Sequence, residues 1–210
     1  MGNLSKESAI YLSLLLSCTP YTMIATFLPD LASSHSLPLW MIGLMFSADP
    51  ISGLFAALIL GKTMFYIGRK TTILIGLSLV SLSMFVLSPL EFLDRDTFII
   101  LSFLSRILAG ASTGFIMTAS ESIIMSDYPD KIDTMVGRLE GSIGIGLIIG
   151  PLIGVLLYMG SLFWSLIGFG ALILVFIPMC SCMLGKFREY EVSNEEMSSS
   201  ELMFKPVNPN

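Results

Sequence analysis

The sequence predicts an all-α membrane protein with six transmembrane helices, and three observations carry that prediction. Of its 210 residues 54% are hydrophobic and only 13% charged, where a soluble domain holds about 25% charged residues. Mean hydropathy is +0.82 over the whole chain. The apolar residues gather into six runs, each near the roughly 20 residues a helix needs to cross a bilayer core of about 30 Å. These runs are too long for the alternating strands of about ten residues in a membrane β-barrel. The composition also excludes a soluble enzyme, a disordered chain and a disulfide scaffold.

The first run, 9–28, exceeds the apolar core of a signal peptide and no A-x-A site follows it, so it is expected to be a span and not a cleaved leader. The second, 39–60, opens at Trp40 and contains Asp49-Pro50, and the third covers 71–90. The fourth, 98–125, carries Arg106 and Glu121 within its length. The fifth, 141–158, is rich in glycine, and the sixth, 162–184, opens near Trp164. Three segments are thus expected: an N-terminal stretch 1–8, a six-span bundle 9–185, and a polar Ser/Glu-rich tail 186–210. The tail reads as disordered and cytoplasmic, or as the start of a central loop.

Orientation follows from the basic residues, which short loops keep on the cytoplasmic side. Lys6, Lys62, Arg69, Lys70, Lys131, Arg138, Lys186, Arg188 and Lys205 fall on one side of a six-span arrangement and Arg95 alone on the other. Both termini are therefore expected in the cytoplasm, with Trp40 and Trp164 at the outer interface. Cys18, Cys180 and Cys182 lack metal-ligand spacing, and the single histidine, His35, is expected to be solvated in an outer loop. No cofactor, metal site, catalytic pair or nucleic-acid-binding tract is indicated.

Three motifs stand out. The connection between the second and third spans reads Gly61-Lys-Thr-Met-Phe-Tyr-Ile-Gly68-Arg69-Lys70, where two glycines permit a tight turn and the basic pair obeys positive-inside. The fifth span places Gly146, Gly150 and Gly154 on one face, with Pro151 removing a backbone donor. Small-residue helix packing of a generic kind gives the same pattern. The fourth span sets Arg106, Gly110 and Gly114 on one face, and a mid-span arginine marks either function or a structural salt bridge.

Asp49 is the natural partner for Arg106. Counted from the same side of the membrane, their depths differ by only about 3 Å at 1.5 Å per residue. A carboxylate beside Pro50 could alternate between Arg106, a proton and a cationic substrate. Glu121 lies deeper, level with Arg138 and Glu140, and reads first as part of an interfacial ion-pair cluster and second as a substrate or proton site. Tyr21, beside Pro20, is either packing or a lining residue of the same cavity.

The loop, with Gly61, Gly68, Arg69 and Lys70, resembles the first signature of the major facilitator superfamily, although Phe65 and Tyr66 replace its central acid and base. The G-P-x-x-G ending at Gly150, Pro151 and Gly154 is similar to the fifth-span signature of proton-coupled exporters, and Arg106-x-x-x-Gly110 to the superfamily's fourth-span signature. Thr26–Pro29, Ile42–Ser47 and Met117–Ser120 look most like the vesicular amine and polyamine branch. The resemblance implies one six-helix half, an inverted 3+3 repeat, of a twelve-span carrier. It also implies proton-coupled antiport of a small organic cation such as an amine, polyamine or drug, by alternating access.

The expected partners are that substrate, protons, the lipid bilayer and a second six-span half, either in a longer product or in a second copy. On this reading the glycine face of the fifth span meets the opposite half and lacks its partner here. Phe27–Asp30 and Asp127–Asp130 are expected to close the first and fourth spans as a faint echo of the repeat. The alternative is a truncated, transport-inactive membrane protein that regulates or scaffolds a full-length relative.

Overall fold

Six helices follow one another with short connections in the computed structural model, which describes residues 2–158 and 160–185. They are α1 (Gly2–Ser34), α2 (Leu39–Ile67), α3 (Arg69–Leu87), α4 (Arg95–Asp127), α5 (Ile132–Tyr158) and α6 (Leu162–Leu184). Short 3-10 turns at Ser88–Phe92 and Pro129–Lys131 lead into α4 and α5. Each of the six is long and apolar enough to cross a membrane. The exposed faces agree: Ile51, Leu54, Phe55, Leu58 and Ile59 on α2, and Ile148, Leu152 and Leu156 on α5, are all open to the surroundings. In water such faces would drive aggregation; in lipid they are the favoured surface.

Two details differ from the sequence reading. The expected loop at 61–70 is almost entirely helical, since α2 runs on to Ile67 and α3 starts at Arg69. Only Gly68 breaks the path, with φ 84° and ψ 142°, a backbone conformation that side chains rarely adopt. Gly61 lies inside α2, facing open space, and makes no turn. Likewise Phe27–Asp30 does not close α1, which continues past Pro29 for another turn, whereas Asp127 does end α4. Helix α1 also begins at Gly2, well ahead of the expected start of the span. The tail 186–210 lies outside the described residues.

The helices pair by repeat. Helix α1 packs chiefly on α5 and α2 on α4, each pair parallel, while α3 lies antiparallel to both α4 and α6. Relating α1–α3 to α4–α6 maps the first contact onto the second, so the 3+3 repeat is visible in the packing even though the sequence echo is faint. Hydroxyl groups stitch the core: Ser105 Oγ donates to the Ser83 carbonyl at 3.2 Å and Ser81 Oγ to the Gly170 carbonyl at 2.8 Å. Between lipid-like surfaces such bonds and close packing, rather than water exclusion, hold helices together.

At the opposite end of the bundle from Gly68, α1 finishes in a Schellman turn. Ser36 N donates to the Ser33 carbonyl at 2.9 Å and Leu37 N to the Ala32 carbonyl at 3.1 Å, with Ser36 at φ 55°. This turn fixes His35 at the helix end. The residue is half-buried and not the solvated loop side chain its sequence setting suggests.

Candidate functional site

The glycines of α4 set up the site. A side-chain carbon at position 110 would occupy the space held by the Asp49 carbonyl and Ser52 Oγ, and one at 114 the space held by the Gly53 carbonyl and Ala56. Helix α2 therefore lies directly against α4, and Ser52 Oγ donates to the Ile107 carbonyl at 2.9 Å across the contact. One turn before Gly110 stands Arg106, whose side chain is wholly buried. The close approach brings Asp49 to it, with Arg106 Nη1 at 3.5 Å from Asp49 Oδ2. The guanidinium lies 4.5 Å from the centre of the Phe46 ring and 5.9 Å from that of Tyr21. No protein atom among the described residues accepts a hydrogen bond from it, so charge and aromatic faces hold it in place.

Beside this pair a groove of about 460 Å³ opens between α1, α2, α4 and α5. Tyr21, Asp49, Thr113, Thr118 and Glu121 supply its polar lining, and among the described residues Asp49 and Glu121 are the charged ones. Tyr21 is thus a lining residue, 39% exposed, rather than core packing. Glu121 lies eleven residues beyond Gly110, about 16 Å along α4, so the two acids mark the two ends of the groove.

The expected cluster of Glu121 with Arg138 does not form. The ion pair of Arg138 is with Glu7 at the start of α1, Nη1 to Oε2 at 3.5 Å, because the long first helix carries Glu7 across to α5. The charged group acting on Glu121 is another acid, Glu140. Tyr128, between α4 and α5, lies against Glu7; burial first, and the Glu7 carboxylate second, push its phenol above the ordinary value.

The fifth-span glycines have a partner within the chain. Gly146 faces the Leu15 carbonyl and Thr19, Gly150 faces Thr22 Oγ1 and the Thr19 carbonyl, and Gly154 faces Thr26 Oγ1 and the Met23 carbonyl. The expectation of a glycine face left open for the other half is therefore overturned: α1 fills it, with its threonine hydroxyls folded back onto their own helix at Leu15, Thr19 and Met23. Pro151 lies within α5, which stays helical through it. In the first motif Lys70 reaches across to α6, its Nζ donating to the Gly185 carbonyl at 3.1 Å, while Arg69 opens α3. Among the described residues no group of three His, Cys, Asp or Glu could hold a metal ion.

Several participants escaped the sequence reading. Phe46, Ser52 and Gly53 sit at i−3, i+3 and i+4 from Asp49, on its own helix face, and Thr19, Thr22 and Thr26 share one face of α1. That spacing is the signal that would have found them.

Six spanning helices, repeated three and three beside an open acidic groove with a buried Arg–Asp pair, form a six-helix membrane bundle of the facilitator type. The chain belongs to the Major Facilitator Superfamily, whose sequence model matches residues 10–201. It is 32% identical over 193 residues to the MFS-type transporter SLC18B1 of Rattus norvegicus, covering 88% of this chain and 42% of that protein. The Homo sapiens protein of the same name is 30% identical over 163 residues, 76% of this chain and 35% of its own length. The Staphyloferrin B transporter of Staphylococcus aureus is 26% identical over 204 residues, 91% and 44% respectively. The chain thus spans less than half the length of these curated relatives, which are transporters and not enzymes.

Proposed function

We propose that this chain is the substrate-binding half of a proton-coupled antiporter for small organic cations. One observation carries the reading: among its described lining residues the groove offers two carboxylates and no basic side chain. An ammonium group entering it meets Glu121, or displaces Arg106 from Asp49. A proton on Asp49 releases Arg106 in the same way, so proton and substrate compete for one carboxylate, which is what antiport requires. The second wall of the site comes from a further six-span half, in a longer product or a second copy, and rocking of the two halves exposes the groove to each side alternately. The face bearing Lys62, Arg69, Lys70, Lys131 and Arg138 is the cytoplasmic one, with both termini on that side. Relatedness to the SLC18B1 proteins supports transport.

The test is ethidium uptake into acid-loaded proteoliposomes holding the native product. Uptake should need the pH gradient, stop with a protonophore and fall in Asp49→Asn. Uptake that ignores the gradient overturns the antiport step. A folded product that moves neither ethidium nor an aliphatic diamine, yet co-purifies with a full-length relative, establishes the regulatory alternative instead.

A further inference from the structure

His35 holds two elements together at the end of the bundle away from the basic loops. Its Nδ1 lies 2.8 Å from the Leu31 carbonyl of α1 and its Nε2 lies 3.0 Å from the Leu93 carbonyl in the α3–α4 connection. The ring also stacks on Phe98 of α4, centroids 4.4 Å apart and planes 20° apart. Carbonyl oxygens only accept hydrogen bonds, and a neutral imidazole has a single N–H. Only the imidazolium donates to both carbonyls; the neutral ring turns a lone pair toward one of them. Ser34 Oγ lies 3.3 Å from Nδ1, but it already donates to the Leu31 carbonyl at the shorter distance of 2.7 Å.

We infer that His35 is a proton-operated clasp, closed as the imidazolium, that ties the end of α1 to the α3–α4 connection. The ring sits at the C-terminus of α1 and lies against Phe98 of α4. At this end of the bundle, the charged groups on the elements that meet it are Asp30 on α1, Glu91, Asp94 and Arg95 before α4 or at its start, and Asp96 in its first turn. Neither 36–48 leading into α2 nor α6 (Leu162–Leu184) carries any.

His35 is the single histidine of the sequence, so its ring signals assign themselves in a histidine-labelled sample of the full chain in lipid nanodiscs. On lowering the pH from about 8 to about 5, the ring should pass from one N–H to two, both slow to exchange. Amide exchange at 93–99 and 35–41, corrected for intrinsic rates, should slow by about tenfold over the same range, the effect of one charge-assisted hydrogen bond. His35→Gln, with one donor, and His35→Phe, with the stack alone, should abolish that pH dependence. The same pH dependence in both variants overturns the clasp. So does a wild-type ring that shows one N–H throughout, a readout that stands even where a variant fails to fold.

Discussion

Arg106 and Asp49 meet at 3.5 Å inside the bundle, the arginine with no exposed surface at all. Burying both ions is costly, and their attraction offsets that cost only while each has the other. Asp49→Asn should therefore destabilise the protein by about 3–5 kcal/mol, because it strands a buried cation. Arg106→Gln should cost a similar amount. The double variant should recover most of the loss, since neither charge is left alone. Thermal unfolding in detergent checks this; costs that simply add in the double variant would show that the two residues act separately.

The packing of α1 on α5 makes a prediction about glycines that look alike in sequence. A methyl group at Gly150 meets Thr22 Oγ1 and the Thr19 carbonyl, whereas one at Gly144 meets nothing within 4 Å. Gly150→Ala should push the helices apart and cost about 1–3 kcal/mol, as overpacking does. Gly144→Ala should be neutral, or stabilising by up to about 1 kcal/mol from helix propensity. Melting temperatures of the two variants side by side decide the point, and equal effects would mean that the α1–α5 contact is looser than described.

Gly68 should be equally intolerant for a different reason. It is the sole residue between α2 and α3 and holds φ 84°, a conformation that costs other residues about 1–3 kcal/mol. Gly68→Ala should lower the melting temperature, and Gly61→Ala, inside α2 with open space at its Cβ position, should leave it unchanged or raise it slightly. A drop in both would return the motif to the two-glycine turn that the sequence suggests.

Much of this architecture was legible in the sequence, and for a physical reason. Lipid imposes one length and one polarity on every span, so the six runs 9–28 to 162–184 could be read from hydropathy alone. The Arg106–Asp49 pairing was legible too, because two buried opposite charges at matched depth leave few alternatives. What escaped were choices between helix faces. Hydropathy does not say that Gly146, Gly150 and Gly154 turn toward α1 rather than toward a missing partner. Nor does it say that α2 persists through Phe65 and Tyr66 to Ile67, since no helix breaker is needed before Gly68. The setting of His35 depends on a connection 58 residues away at Leu93, a distance no local pattern spans.

Glu121 separates a structural acid from a functional one. It lines the groove with Asp49, and the ion pair that the sequence suggested for it goes instead from Arg138 to Glu7. Removing its charge breaks no ion pair among the described residues, so Glu121→Gln should change stability by no more than about 0.5 kcal/mol. If the carboxylate receives the ammonium group of the substrate, the same variant should raise the KM for uptake of an aliphatic diamine by about 10-fold to 100-fold, the worth of a hydrogen bond to a charged group. Glu121→Asp, which keeps the charge, should lie between the two. Uptake kinetics and melting curves on the same preparations check both halves of the claim. An unchanged KM together with a large loss of stability would make Glu121 a packing residue and leave Asp49 as the sole acid of the site.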